Sequence, residues 1–209
     1  MPGRPEGRRE IITFRCHGVP VSFVLLIPLC LLAAALIVLI GPDDTRDLRA
    51  KIAAYPIGAA CCGAIGTLSV VAMQGPISIR FYDPGSVASL VFPIGFYIDR
   101  LSAVMMTLIA GVSTLIFVYS TGYMYQDRHV RRYLALICFT DFVLICMVSS
   151  ANLMMLFLFW QILSYLLYLL AHNHEHPATL KGAFNTFTLL RAADAAFLAG
   201  IVLAYHVYG

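Results

Sequence analysis

The chain has 209 residues, of which 60% are hydrophobic and only 12% are charged. Soluble domains are about half apolar and about one quarter charged, so this composition indicates an integral membrane protein rather than a soluble domain. The net charge of +3 is too small and too dispersed to suggest nucleic-acid binding. The six cysteines form no CxxC pair and are interpreted as small buried residues, not as a disulfide framework or a metal site.

Six segments are long and apolar enough to cross a bilayer, which takes about 20 mostly apolar residues. The first is too long for the apolar core of a signal peptide, and no small-residue cleavage site follows it. We therefore expect an all-α membrane domain over residues 19–209, preceded by a basic tail at residues 1–18. The expected spans are residues 19–41, 52–74, 100–122, 133–149, 152–171 and 182–205.

The longest connection, residues 75–99, separates the second span from the third. Its stretch ISIRFY is typical of a short strand, and a DPG sequence, typical of a turn, follows directly. This pattern predicts a small β-hairpin lying on the membrane surface.

The charged loops give an expected orientation in the membrane. Most loop arginines and lysines lie in the first, third and fifth connections, whereas the second and fourth carry only Arg80, with Arg100 at the mouth of a helix. By the positive-inside rule, we expect the N-terminus outside, in a bacterial inner (cytoplasmic) membrane. The arginines of the N-terminal tail favour the opposite orientation.

Polar side chains at membrane depth are the candidate functional residues, because they are costly there and commonly functional. Asp141 lies in the fourth span, Gln161 in the fifth, and Arg191 and Asp194 in the sixth. Asp141, Gln161 and Asp194 each lie near the middle of their own spans, so one hydrogen-bonded cluster is expected. All four residues are candidates for a proton pathway.

Each of these residues also has a purely structural interpretation. Arg191 and Asp194, three residues apart on one helix face, are placed to form an ion pair. Asp141 could accept hydrogen bonds from Thr140 or from a nearby serine. Gln161 could simply bridge two helices, as amides commonly do in membranes.

The sequence HNHEHP places three histidines on alternate positions between the fifth and sixth spans. Alternation in a loop fits poorly with the spacing of metal ligands on a helix, so a solvated loop is the favoured interpretation. No metal site is predicted, and the weak candidates are His172, His174 and His176.

Three stretches, IGFYIDRLSAVMMTLIAGVSTLIFVYSTGYM, RRYLALICFTDFVLICMVSSANLMMLFLFWQ and AFNTFTLLRAADAAFLAGIVL, carry a family resemblance. They resemble the third to sixth spans of the antiporter-like proton-conducting membrane subunits (subunit-L type) of respiratory complex I and Mrp antiporters. The matching features are Asp99 two residues before Leu-Ser, an Asn-Leu turn, a Trp at the expected place, and the pair Arg191 and Asp194. The resemblance covers about residues 90–205 and only the N-terminal half of such a subunit.

Two departures from the family are visible. The glutamate that follows the Trp in the family, which handles protons, is replaced by Gln161, and an amide does not exchange a proton near neutral pH. The family's partner lysines lie in later helices, which this chain does not contain.

The resemblance implies a membrane subunit of a complex I-like or Mrp-like ion-translocating assembly. Its implied partners are the lipid bilayer and other membrane subunits, among them a chain carrying the remaining antiporter-like helices; no nucleic acid is expected. The alternative is a non-conducting anchoring subunit, for instance of an inorganic-carbon (bicarbonate or carbon dioxide) uptake complex. No quinone, flavin, iron–sulfur or nucleotide motif is present, so we predict no cofactor and no catalytic residue. Membership of a proton-translocating oxidoreductase stays open.

Overall fold

A computed structural model describes residues 13–15, 21–40, 46–82, 94–124, 130–171 and 177–208. Helices account for most of these residues, at positions close to the six expected apolar segments. The elements in chain order are β1 (Thr13–Arg15), α1 (Val21–Ile40), α2 (Arg46–Gln74), β2 (Ile77–Tyr82), β3 (Ile94–Ile98), α3 (Arg100–Tyr123), α4 (Val130–Val148), α5 (Leu153–Ala171) and α6 (Pro177–Tyr208).

Four helical segments are long and apolar enough to cross a membrane, by length and composition. The described part of α1, Val24–Ile40, is a shorter apolar helix. The helix α4 has a length similar to that of α5 but carries the charges of Arg131, Arg132 and Asp141. The four segments are Ile52–Gln74, Arg100–Tyr123, Leu153–Ala171 and Phe184–Val207.

The helices α1 to α4 form a closed bundle, in which α1 packs on α2 and α4, and α3 packs on α2 and α4. The buried residues of α2 and α3 alternate at spacings of three and four, the repeat that keeps one stripe facing a neighbouring helix. Many are small, which lets the backbones approach closely. The hydroxyl of Thr107 accordingly reaches the carbonyl of Ala64 on α2, at 3.2 Å. The stripes are Ala53, Ile57, Ala60, Ala64, Thr67 and Val71 on α2, and Ala103, Met106, Ala110, Ser113, Phe117 and Ser120 on α3.

The last two helices extend from this bundle one after the other. The helix α5 packs on α4, and α6 packs mainly on α5. Most of the apolar part of α6 is therefore exposed on the outside of the described structure. The α5–α6 interface nevertheless contains three of the four polar residues expected at membrane depth, Gln161, Arg191 and Asp194.

A three-stranded antiparallel sheet lies at one end of the bundle, with the strand order β1-β2-β3. The expected pairing of β2 with β3 is confirmed, with Ile77 opposite Ile98. The DPG sequence lies outside the described residues. The third strand, β1, was not predicted, and it adds the N-terminal residues Thr13–Arg15 to the edge of β2. The backbone of Tyr97 in β3 donates to Ser149, at 2.8 Å, and so joins the sheet to the α4–α5 turn.

The opposite end of the bundle is held by two arginines at the start of α4. Arg131 donates to the carbonyl of Leu39 near the end of α1, and Arg132 donates to the carbonyl of Leu169 near the end of α5, at 3.4 Å. Carbonyls in the last turn of a helix have no partner within the helix and carry partial negative charge. The two arginines therefore tie three helix ends together.

Candidate functional site

A group of four side chains joins α5 to α6 at the middle of their interface. The indole Nε1 of Trp160 donates to Oδ1 of Asp194, at 2.9 Å. Arg191 donates to Oε1 of Gln161, and its second terminal nitrogen lies 3.4 Å from Oδ2 of Asp194. We call Trp160, Gln161, Arg191 and Asp194 the α5–α6 polar group.

Helix geometry explains why these four meet. Trp160 and Gln161 are adjacent on α5, whereas Arg191 and Asp194 are three residues apart on α6 and share a face. Trp160 therefore contacts Asp194, and Gln161 contacts Arg191, so each of the two contacts one member of the ion pair on α6. The ion pair expected from the sequence is present, and Gln161 also bridges two helices.

Aromatic rings surround the α5–α6 polar group. The guanidinium carbon of Arg191 lies 4.7 Å from the ring centre of Phe187, a distance at which the ring face attracts a cation. The ring of Trp160 meets Phe197 edge to face, with the ring centres 6.4 Å apart. These contacts orient Arg191 and Trp160 towards the polar group.

The α5–α6 polar group is electrically balanced, with one cation and one anion. Asp194 is only 7% exposed, while the side chain of Arg191 is 34% exposed. Since Gln161 is neutral, it supplies an acceptor for Arg191 without adding a second negative charge. Within the described structure, Nε of Arg191 and Oδ2 of Asp194 are buried without a hydrogen-bond partner.

Asp141 lies elsewhere, inside the α1–α4 bundle. It is 7% exposed, and the hydroxyl of Ser113 on α3 is a polar group that interacts with its carboxyl group. Thr140, considered as a donor from the sequence, instead donates to the carbonyl of Leu136, at 2.7 Å. The single expected cluster is therefore divided, because Asp141 does not join the hydrogen bonds of the α5–α6 polar group.

Trp160 was missed in the sequence as a participant in these contacts, and the serine expected near Asp141 was not identified. Trp160 was noted only as a family marker, although a buried indole N–H usually finds an acceptor. Ser113 could have been found from its place on the buried stripe of α3. The identity of its partner on α4, however, depends on how the two helices pack.

Asp99, another residue that carries the resemblance, has a structural role in this protein. It is the N-cap of α3, and its carboxylate accepts the backbone N–H of Ser102, at 2.7 Å. This hydrogen bond lowers the pKa of Asp99 below its ordinary value. The candidate metal ligands His172, His174 and His176 lie outside the described residues.

The fold and these buried polar residues define an integral membrane protein built from apolar helices, with an ion pair and a separate carboxyl group inside its helix interfaces. Comparisons with known proteins agree with this class. Residues 85–134 match the family described as NADH-ubiquinone oxidoreductase (complex I), chain 5 N-terminus.

Two curated relatives extend this match. The chain is 34% identical over 109 residues to NADH-quinone oxidoreductase subunit L of Rickettsia conorii, covering 51% of this chain and 16% of that protein. It is 32% identical over 114 residues to a probable inorganic carbon transporter subunit, DabB1, of Halothiobacillus neapolitanus, covering 54% of this chain and 20% of that protein. The match thus spans no more than about a fifth of the length of these relatives.

A solved structure shares the fold. A chain of the membrane-bound sulfane sulfur reductase, an archaeal respiratory membrane complex, superposes with a TM-score of 0.68 at 19% identity, covering 90% of this chain and 37% of that one. The resemblance to antiporter-like complex I subunits, limited to their N-terminal portion, is confirmed.

Proposed function

We propose that this chain is a membrane subunit of an ion-translocating assembly of the complex I or Mrp kind. It corresponds to the front part of a proton-conducting subunit and conducts only together with a partner chain that supplies the remaining helices. The observation that carries this proposal is the α5–α6 polar group, which joins Trp160 to Asp194 and Gln161 to Arg191 in a chain whose residues 85–134 match the complex I family.

The four polar candidates have different roles in this proposal. Arg191, Asp194 and Gln161 hold α6 against α5 as a charge-balanced unit, and Gln161 removes the titratable group that the family has at its position. Asp141 is then the candidate for proton transfer within this chain. The mid-bundle position of Asp141 and its lack of an ion-pair partner in the described helices support this division.

The proposal includes a topology in which α1 and α4 cross the membrane as well, giving six spans in residues 19–209. The N-terminus lies outside in a bacterial inner membrane, and residues 1–18 form a basic tail. Helix α1 has a stripe of buried residues at spacings of three and four, and α4 is buried by α1, α3 and α5. Both observations support crossing, since each helix packs along a neighbouring apolar helix. The stripe of α1 consists of Val24, Ile27, Leu31, Ala34 and Val38.

Purification from native membranes tests the proposal. An affinity-tagged chain is expected to copurify with a membrane protein that carries lysines at mid-membrane positions. Liposomes containing the purified assembly and a pH-sensitive dye should show proton movement, whereas liposomes with this chain alone should hold a proton gradient. Dissipation of the gradient by the isolated chain would contradict the need for a partner.

A second candidate function is a non-conducting anchor, and two observations favour it. Gln161 has no titratable group, and one relative is named as an inorganic carbon transporter subunit. In that case the copurifying partner is a soluble protein with a zinc site, and no proton conduction needs to pass through this chain. The identity of the copurifying protein separates the two functions.

A further inference from the structure

Asp141 is surrounded differently from the other buried carboxyl group, Asp194. It lies about 16 Å along α4 from Val130, on a face whose buried neighbours are Leu134, Cys138 and Ile145. Trp160 and Arg191 both contact Asp194. Among the described residues, neither an indole nor a guanidinium lies beside Asp141.

No cation faces Asp141 from the described parts of the helices packed on α4. The only cation on the described parts of those helices is Arg100, which is the first residue of α3 and lies about 20 Å along the helix from Ser113. Helix α4 itself carries Arg131 and Arg132 at its start. These two arginines donate hydrogen bonds to carbonyls of α1 and α5. The ionisable side chains on α1, α3 and α5 are Cys30, Arg100, Tyr119, Tyr123, Tyr165 and Tyr168.

The one polar partner of Asp141 suits both protonation states. Ser113 is itself 5% exposed, and a hydroxyl donates to a carboxylate or accepts from a carboxylic acid by rotating its proton. An ionised carboxylate without a counter-charge is costly in apolar surroundings, and such groups are commonly neutralised by a bound proton.

We propose that Asp141 and Ser113 form a proton-binding site between α3 and α4, separate from the α5–α6 polar group. Asp141 holds an exchangeable proton near neutral pH. The use of this site in transport rests on the proposed function, since it would replace the titratable group that Gln161 lacks. The binding of the proton does not depend on that function.

Infrared difference spectroscopy of the full-length chain in lipid membranes tests proton binding directly. The spectrum of the natural protein minus that of Asp141→Asn should show the carbonyl band of a protonated carboxylic acid at pH 7. The band should shift in heavy water, because the proton exchanges. The matched control, Asp194→Asn, removes the other buried carboxyl group and should leave this band in place. Carboxylate bands alone in the Asp141 difference spectrum would overturn the proposal.

A second pair of variants tests the role of Ser113. Ser113→Ala should move the Asp141 carbonyl band to higher frequency, because the protonated acid loses the hydroxyl group with which it interacts. Ser120→Ala, on the same buried stripe of α3, should leave the band in place. Equal spectra for both variants would contradict a site shared by Asp141 and Ser113.

A chemical label provides a measurement that needs no variant. Dicyclohexylcarbodiimide adds to protonated carboxyl groups in apolar surroundings and leaves a stable acylurea, which mass spectrometry locates in the sequence. Label on Asp141 but not on Asp194 supports the proposal, and label on Asp194 alone overturns it.

Transport in the purified assembly then separates this inference from the proposed function. Asp141→Asn should abolish coupled proton movement while leaving the amount of assembly unchanged. A protonated Asp141 in the infrared spectrum together with unchanged transport would support the proton site and contradict its use in conduction.

Discussion

The indole of Trp160 on α5 donates to the carboxylate of Asp194 on α6, with 2.9 Å between Nε1 and Oδ1. Trp160 is the only tryptophan of the chain, so its fluorescence reports on this contact without a label. Arg191 contacts the other oxygen of the same carboxylate. The interface between the last two helices therefore depends on one buried carboxyl group and can be measured through one side chain.

Asp194→Asn should weaken the α5–α6 interface, because it leaves Arg191 without its ion-pair partner. The expected loss is somewhat below the roughly 3–5 kcal/mol typical of a broken buried pair, since Arg191 is one-third exposed. Thermal unfolding followed by Trp160 fluorescence in detergent measures it. The double variant Arg191→Met, Asp194→Leu should recover much of the loss, because it removes both charges. If Asp194→Asn unfolds at the same temperature as the natural protein, the ion pair contributes nothing to stability.

Gln161→Glu should be tolerated, because a carboxylate keeps the acceptor that Arg191 uses and strengthens the hydrogen bond. The matched variant Gln161→Leu removes that acceptor and should cost about 1–3 kcal/mol. The melting temperature and the yield of assembled protein provide the comparison. If Gln161→Leu proves as stable as the natural protein, the hydrogen bond to Arg191 is not formed in the membrane.

Two glycines of α2 give a matched pair for testing the bundle. A Cβ atom added at Gly58 meets nothing within 4 Å, whereas one added at Gly63 lies 3.0 Å from Cγ1 of Ile27 on α1. Gly58→Ala should stabilise the protein by about 0.4–1 kcal/mol, because alanine restricts the unfolded chain. Gly63→Ala should stabilise the protein less than Gly58→Ala does, or destabilise it, because Ile27 must shift to make room for the added Cβ atom. Equal effects on the unfolding midpoint would mean that α1 and α2 do not pack as described.

Asp99→Ala should lower stability by about 1 kcal/mol through loss of the N-cap of α3, whereas Asp99→Asn should lose much less. The low pKa of Asp99 means that its contribution is present at neutral pH. This contribution should fall as the pH drops below about 4, through the folded-state pKa of Asp99. Melting temperatures of both variants at pH 7 and pH 3 check this, and an identical loss at both pH values would contradict it.

The proposed orientation predicts which side of the membrane each loop faces. In a cysteine-free background, Met73→Cys at the end of α2 should react with an impermeant maleimide from outside the cell. Tyr123→Cys at the end of α3 should react only after the cytoplasmic side is exposed. Both natural side chains are largely exposed in this structure. The reverse pattern of labelling would invert the topology.

The sequence determined the helices, because apolar segments of about 20 residues satisfy their backbone hydrogen bonds internally only as helices. The i, i+3 spacing of Arg191 and Asp194 was enough to predict their ion pair, since neighbours on one helix face do not depend on the rest of the fold. The pairing of β2 with β3 was likewise visible, because it joins strands close in the chain.

The tertiary structure decided which of these elements meet. Asp141 and Gln161 lie at similar depths in their spans, yet the rotation of each helix turns Asp141 towards Ser113 and Gln161 towards Arg191. Strand β1 joins the sheet across a long stretch of chain, which no local pattern predicts. Helix rotation and long-range pairing follow from the packing of all faces together, so spacing along the chain could identify the polar residues but not their partners.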